Sequence, residues 1–149
     1  MTDFTMSTGD DGVAIITWDV PDKSMNVLSL EAWDELDAAI DTVLSDDAIV
    51  GAVITSGKDS FAGGMDLNVI AKMKQSAGDD PARGLFDGLM KSHAILRKIE
   101  RAGMEPKTNK GGKPIACALP GTALGIGLEI PLACHRIFAA DNPKAKIGL

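Results

Sequence analysis

The chain has 149 residues, of which 45% are apolar and 24% charged, the balance of an ordinary globular domain rather than of a disordered segment. Its 21 acidic residues outnumber its 15 basic ones, for a formal charge of -6. That balance excludes nucleic acid as an expected partner but leaves room for an anionic ligand at a local basic patch. The stretch without charge from Pro114 to Leu128 is interrupted by Pro120, Gly121, Gly125 and Gly127, too short and too broken for a bilayer span.

Met1 to Asp11 is polar and acidic, without the basic start and apolar run of a signal peptide. Cys117 and Cys134 lie in apolar surroundings and in no metal-type spacing, so they read as reduced core residues of a cytoplasmic protein.

In chain order, Thr5–Thr8 and Val13–Trp18 read as two strands around the turn Gly9-Asp10-Asp11-Gly12. A loop, Asp22-Lys23-Ser24-Met25-Asn26, leads to a helix over about Ser29–Leu44. Ser29 is its expected N-cap, and Leu30, Trp33, Leu36, Ile40 and Val43 form one apolar face. Val50–Ser56 is a second apolar strand run, followed by Phe61-Ala62-Gly63-Gly64-Met65-Asp66-Leu67 and a short helical stretch to about Lys74. Gln75 to Pro81 reads as a polar loop. A helix is expected over about Arg83–Arg101, with Leu85, Leu89, Leu96 and Ile99 on one side. Then come a basic, Gly-rich loop, a strand at Pro114–Leu119, a glycine-rich turn at Gly121–Gly127, a short helix over about Gly127–Cys134 and a strand at Arg136–Ala140. The alternation is that of an α/β domain. The apolar stop at Ala145–Leu149 reads as the end of a fragment.

Two segments share one layout: buried strand, glycine-rich turn, start of a helix. At such turns backbone N–H groups point outward without partners, and glycine lets a ligand approach the main chain. Two converging turns can present two N–H donors to one oxygen, the geometry of an oxyanion hole; taken singly, each turn also fits a purely structural role. Pro131 is expected in the first turn of its helix, which puts the helix start near Gly127 or Leu128 and Glu129 just inside it. Glu129 has two readings. Flanked by Leu128, Ile130, Pro131 and Leu132, its carboxyl is either desolvated, which favours acid–base chemistry, or simply complements the helix dipole. Asp66 fits an N-cap better than a catalytic acid. His93 fits a buried structural position better than a base. No dinucleotide fingerprint, phosphate loop, zinc motif or GxSxG is present.

Together, Ser60-Phe61-Ala62-Gly63-Gly64-Met65-Asp66-Leu67 and Gly121-Thr122-Ala123-Leu124-Gly125-Ile126-Gly127-Leu128-Glu129 resemble the two oxyanion segments of the crotonase (enoyl-CoA hydratase/isomerase) superfamily. Asp22-Lys23-Ser24-Met25-Asn26-Val27-Leu28 resembles its early CoA-contacting loop. The resemblance covers almost the whole chain. It is greatest to the hydratase part of bacterial multifunctional fatty-acid oxidation proteins, in which a 3-hydroxyacyl-CoA dehydrogenase follows in the same chain.

What the resemblance implies is a crotonase-like spiral of β-β-α units, here a partial domain over residues 1–149 without its C-terminal helices. The backbone N–H groups of Met65 and Ile126 would hold a thioester oxygen, with Gly64 and Gly125 beside them. Glu129 would be the first of two catalytic glutamates, and Lys23, Met25, Val27 and Gly63 would line the CoA path. The substrate would be an acyl-CoA, and no metal is implied. NAD would belong only to a dehydrogenase part outside this chain, and the parent would be an oligomer or a fusion. Two residues depart from the family pattern, Ile126 within the usual triple glycine and Pro120 in place of a common Asn. The family's second glutamate normally follows Gly-Leu-Pro, a motif not reached by Leu149, so the chain alone is expected to be inactive. Isomerase, thioester hydrolase, decarboxylase or non-catalytic acyl-CoA binding are the alternatives, and the presence of Glu129 favours hydratase or isomerase among them.

Overall fold

The computed structural model describes residues 2–69, 71 and 80–149. Five strands form one sheet in the order β1-β2-β3-β4-β6: Phe4–Thr8, Val13–Trp18, Gly51–Ser56, Ile115–Leu119 and Arg136–Ala139. Only β1 runs antiparallel, closing a hairpin on β2; β2, β3, β4 and β6 are mutually parallel. A parallel pair needs a crossover, and the chain supplies α1 (Leu30–Ser45) between β2 and β3, α2 (Pro81–Arg101) between β3 and β4, and α3 (Ile126–Ala133) between β4 and β6. The expected loop over 75–81 and the C-terminal half of the expected helical stretch to Lys74 lie mostly outside the described residues.

Alternation sets the register of the sheet. Ala14, Ile16 and Trp18 on β2, Ile54 on β3, and Ile115, Cys117 and Leu119 on β4 are buried on one face. They form a single cluster with Trp33, Leu36, Ile40 and Val43 of α1, Ile95 and Ile99 of α2, and Leu128 and Ile130 of α3. Each such Leu or Ile contributes about 1.5–3 kcal/mol by leaving water. Phe4 stacks on Trp18 at 5.2 Å, and Phe61 meets the same indole edge-on at 5.8 Å. Phe61 thereby anchors the segment after β3 to the core. The helix α1 starts as its sequence predicts: the Ser29 hydroxyl accepts from the Ala32 N–H at 3.0 Å.

Three expectations change. The buried stripe of α2 runs through Ser92, Ile95 and Ile99, so Leu89 is 38% exposed and His93, one step further round, is exposed rather than buried. Helix α3 begins at Ile126, so Pro131 falls in its second turn rather than its first. Two strands are added, β5 (Ala123–Leu124) and β7 (Ile147–Gly148), which pair in parallel as a small second sheet. Each is two residues long, too short to carry a period in the sequence.

Both cysteines are free thiols, Cys117 buried and Cys134 half-buried at the end of α3. The Cys134 thiol donates to the Ile130 carbonyl at 3.4 Å, and its proximity together with burial holds the Cys117 thiol well above its ordinary range. Among the described residues, no helix is long and apolar enough to cross a membrane, and no three His, Cys, Asp or Glu side chains gather as a metal site requires.

Candidate active site

The loop after β2 is organised by one buried amide. Asn26 is fully buried; its Oδ1 accepts from the Val20 N–H at 2.9 Å, and its Nδ2 donates among the Trp18 carbonyl at 2.9 Å and the Ser56 hydroxyl and Phe61 carbonyl at 3.0 Å. The side chain therefore ties the ends of β2 and β3 to the segment at Phe61. Its main chain adds a fourth link, with the Gly63 N–H donating to the Asn26 carbonyl at 2.8 Å. Sequence reasoning placed Asn26 in this loop but assigned it no role. The available signal is an amide between Met25 and Val27 where a chain leaves a buried strand, since a buried amide must find partners.

With that frame set, Lys23, Met25, Val27, Gly63 and Met65 line one groove of about 680 Å³. Asp66 closes one end of it and caps the helical residues 67–69, its Oδ1 accepting from the Asn68 N–H at 2.8 Å. The peptides on either side of Met65 are committed: the Leu28 N–H donates to the Gly64 carbonyl at 2.8 Å, and the Asp66 N–H to the Leu28 carbonyl at 3.0 Å. In such a parallel bridge the intervening N–H points the other way, and that of Met65 has no acceptor among the described residues. Gly64 makes the turn possible with φ +104°, a conformation that a side chain rarely adopts.

The second turn packs directly on the first. The N–H groups of Phe61 and Ala62 donate to the Thr122 carbonyl at 2.8 and 3.1 Å, and the Leu124 N–H donates to the Ala62 carbonyl at 3.0 Å. A Cβ on Gly127 would lie 2.5 Å from the Ala62 Cβ and 3.4 Å from the Gly64 nitrogen, so only glycine permits this approach. From the far side β7 braces the turn, through Ala123 N–H to the Lys146 carbonyl at 3.0 Å and Gly125 N–H to the Gly148 carbonyl at 2.9 Å. Gly125 takes the positive φ at the N-cap of α3, which leaves Ile126 an ordinary negative φ, as a β-branched residue demands. The N–H of Ile126 opens α3 and, like that of Met65, has no acceptor among the described residues.

Glu129 sits in the first turn of α3 but opens into a different groove, of about 300 Å³, between α2 and α3, with His93, Arg97 and Glu100. It is half-buried, and the apolar enclosure read from its sequence neighbours is not formed. The reason is helical geometry: Leu128, Ile130 and Pro131 turn into the core, while Glu129 points away from them. The Glu129 groove and the Met65 groove have no lining residue in common. Arg97 and Glu100 are ion-paired, and the His135 ring bridges the Glu100 carbonyl and the Ile115 N–H, fixing α2 against the start of β4.

Comparison with known proteins bears on the family and the fold. The sequence pattern of the enoyl-CoA hydratase/isomerase family matches residues 8–149. The chain is 36% identical over 148 residues to the fatty acid oxidation complex subunit alpha of Idiomarina loihiensis and 33% over 147 residues to that of Shewanella baltica. Each alignment takes in 98% of this chain but 19% of the relative, so the chain spans about a fifth of the length of these proteins. Its fold superposes on an enoyl-CoA hydratase of Geobacillus kaustophilus with a TM-score of 0.79 at 28% identity, covering 100% of this chain and 49% of that one. An enoyl-CoA hydratase of Shewanella pealeana gives a TM-score of 0.80 at 16% identity, covering 97% and 48%, and so speaks for the fold alone. With its mostly parallel sheet, its two abutting glycine turns and a matched span of residues 8–149, the chain belongs to the enoyl-CoA hydratase/isomerase family and has the crotonase fold.

Proposed function

We propose that this chain forms the acyl-CoA-binding and oxyanion-stabilising part of an enoyl-CoA hydratase, which adds water across the double bond of a 2-enoyl-CoA to give a 3-hydroxyacyl-CoA in fatty-acid oxidation. The observation that carries the proposal is the single groove shared by Lys23, Met25, Val27, Gly63 and Met65, together with a Met65 N–H that has no acceptor among the described residues and lies in the turn packed against the second glycine turn.

In this reading the thioester oxygen accepts hydrogen bonds from the N–H groups of Met65 and Ile126. Water adds to the β-carbon, negative charge moves onto that oxygen, and two fixed backbone donors stabilise the enolate without reorganising. Glu129 opens into the neighbouring groove between α2 and α3, and in this reading its side chain turns toward the Met65 groove to take a proton from the attacking water as the water oxygen bonds to carbon. A second carboxyl then protonates the α-carbon. Lys23 at the groove rim offers a positive charge to the phosphates of CoA.

Hydration is followed as loss of the conjugated enoyl-thioester absorbance, in residues 1–149 and in a longer chain carrying the family's second glutamate. The longer chain hydrates, whereas residues 1–149 alone turn over little or not at all. In the longer chain Glu129→Gln lowers kcat by about a thousandfold and leaves KM for the CoA thioester within a few-fold, because the carboxyl acts on water and not on the nucleotide. Near-normal turnover by that variant would remove Glu129 from the mechanism. Equal turnover by the two lengths would place the second carboxyl within residues 1–149.

A further inference from the structure

A main-chain donor is aimed by whatever holds its peptide. The Met65 N–H hangs from residues 26–28. The Asn26 carbonyl accepts from the Gly63 N–H at 2.8 Å, the Leu28 N–H donates to the Gly64 carbonyl at 2.8 Å, and the Leu28 carbonyl accepts from the Asp66 N–H at 3.0 Å. Those bonds bracket Met65, but they fix it only relative to the loop. Among the described residues, the hydrogen bonds that join residues 21–28 to the ends of β2 and β3 all run through the Asn26 side chain, to the Trp18 carbonyl, the Val20 N–H and the Ser56 hydroxyl.

Ser56, at the end of β3, extends the same tie. A hydroxyl has one proton and two lone pairs, and here all are used. It donates to the Ser60 carbonyl at 2.7 Å and accepts from Asn26 Nδ2 and from the Lys58 N–H, each at 3.0 Å. Asn26 Nδ2 also reaches the Phe61 carbonyl at 3.0 Å. On its other side, the Phe61–Ala62 segment bonds to Thr122 and Leu124 of the second glycine turn. One short stretch, residues 60–62, therefore stands between the buried amide and the turn that carries the Ile126 N–H. A shift there moves both donors, and each must stay about 3 Å from the oxygen it stabilises.

We propose that the Asn26–Ser56 pair is a positioning device for the reaction, setting the separation and direction of the Met65 and Ile126 N–H groups. Asn26 is 0% exposed, so its amide touches no ligand and acts through the main chain. The pair requires an acceptor toward Val20 and donors toward Trp18, Ser56 and Phe61, a combination that neither a carboxylate nor an apolar side chain supplies. The inference rests on the acyl-CoA reading.

The test uses the longer, hydration-competent chain and a saturated acyl-CoA isotopically labelled at its thioester carbonyl, which binds without turning over. Hydrogen bonds to that oxygen weaken the C=O bond, so its infrared stretch falls on binding. All measurements are made well below each variant's unfolding midpoint. Asn26→Asp keeps the shape and the acceptor but removes the donors. It is expected to lose most of the carbonyl shift and to lower kcat about a hundredfold, with KM within a few-fold. Ser56→Ala loses a smaller part of the shift and lowers kcat about tenfold, whereas Ser56→Thr, which keeps the hydroxyl, stays near the parent in both. Ile40→Val, a core substitution in α1, lowers the urea midpoint and leaves shift and kcat unchanged. A full carbonyl shift and full kcat in Asn26→Asp would overturn the inference and leave the acyl-CoA reading standing. If that variant does not fold, the same result in Ser56→Ala overturns it. Equal losses in Ile40→Val would reduce the pair to a structural role. No carbonyl shift in the parent chain would sink the oxyanion reading itself, and the inference with it.

Discussion

The two halves of the candidate site are held by different means. The Lys23–Met65 half is built from backbone and one buried amide, with Asn26 joining three segments and the N–H groups of Leu28, Gly63 and Asp66 each committed to a defined carbonyl. The Glu129 half is built by helix packing, with α3 against α2 and the carboxyl on an open flank between them. A hydrogen-bonded frame holds main-chain atoms to within a few tenths of an ångström and tolerates little substitution. Packed helices leave a side chain free to take its final position when a ligand or a further element closes over it. Backbone donors for an oxyanion need the first kind of support, and a carboxyl that handles water can work from the second.

The comparison breaks most sharply at Asn26. Asn26→Leu strands the Val20 N–H and the Phe61 carbonyl in a buried site and leaves the Trp18 carbonyl with the Gly57 N–H alone, at a cost of about 3 kcal/mol. Urea unfolding should show this as a large fall in midpoint. A loss below about 1 kcal/mol would mean that the loop is held by its main chain alone. Gly127→Ala comes next. It presses a methyl group onto Ala62, where the two turns touch, and should cost about 2 kcal/mol. In a chain competent for hydration, that variant should lose kcat more than it raises KM, because it separates the two N–H donors.

Lys98 tests the helical half. Burial works against its charge, but the carboxylates of Asp37 and Asp41, bonded at 2.6 and 2.7 Å, outweigh burial and hold the ammonium above its ordinary range. A lysine pKa raised by folding adds stability that is fully present below the unfolded value and is lost as pH rises through the folded one. Lys98→Ala should therefore cost about 1 kcal/mol at neutral pH, with the difference from the parent fading in strongly alkaline solution. Because this contact sets α2 against α1, the variant should loosen the Glu129 groove and leave the Met65 groove intact, which amide exchange can resolve by residue.

The smallest effect is expected at Asp3, outside both halves. Burial, then the charges of Glu35 and Glu31, raise its pKa. An acid with a raised folded pKa favours folding as pH falls and opposes it above that range. Asp3→Asn should accordingly stabilise the chain by a few tenths of a kcal/mol at neutral pH, and the gain should vanish in acid, where the parent is protonated. Thermal melts at both pH values measure it. A larger gain would mean that the Glu35 contacts to the N–H groups of Asp3 and Phe4 tighten in the variant.

The sequence by itself determined the elements whose signal is local. Strand β2 follows from its nearly continuous apolar run and the body of α1 from helical spacing, and Ser29 from the chemistry of an N-cap. The glycine turns were legible as well, since Gly63-Gly64 and Gly125-Ile126-Gly127 are places where only bare backbone allows a tight turn or a close approach. Tertiary structure decided the rest. Strands β5 and β7 exist because Ala123 meets Ile147 across the fold, a pairing invisible in two residues. Asn26 matters through partners far along the chain, and a side chain does not announce its partners. The spacing of His93 from Leu89 and Leu96 places it on the apolar face, but the buried stripe runs through Ser92, Ile95 and Ile99; of the two readings of Glu129, the apolar enclosure does not form, because the residues beside it bury themselves and turn the carboxyl outward. Whether a polar group is enclosed depends on what packs over it, and that is a property of the assembled fold rather than of any stretch of residues.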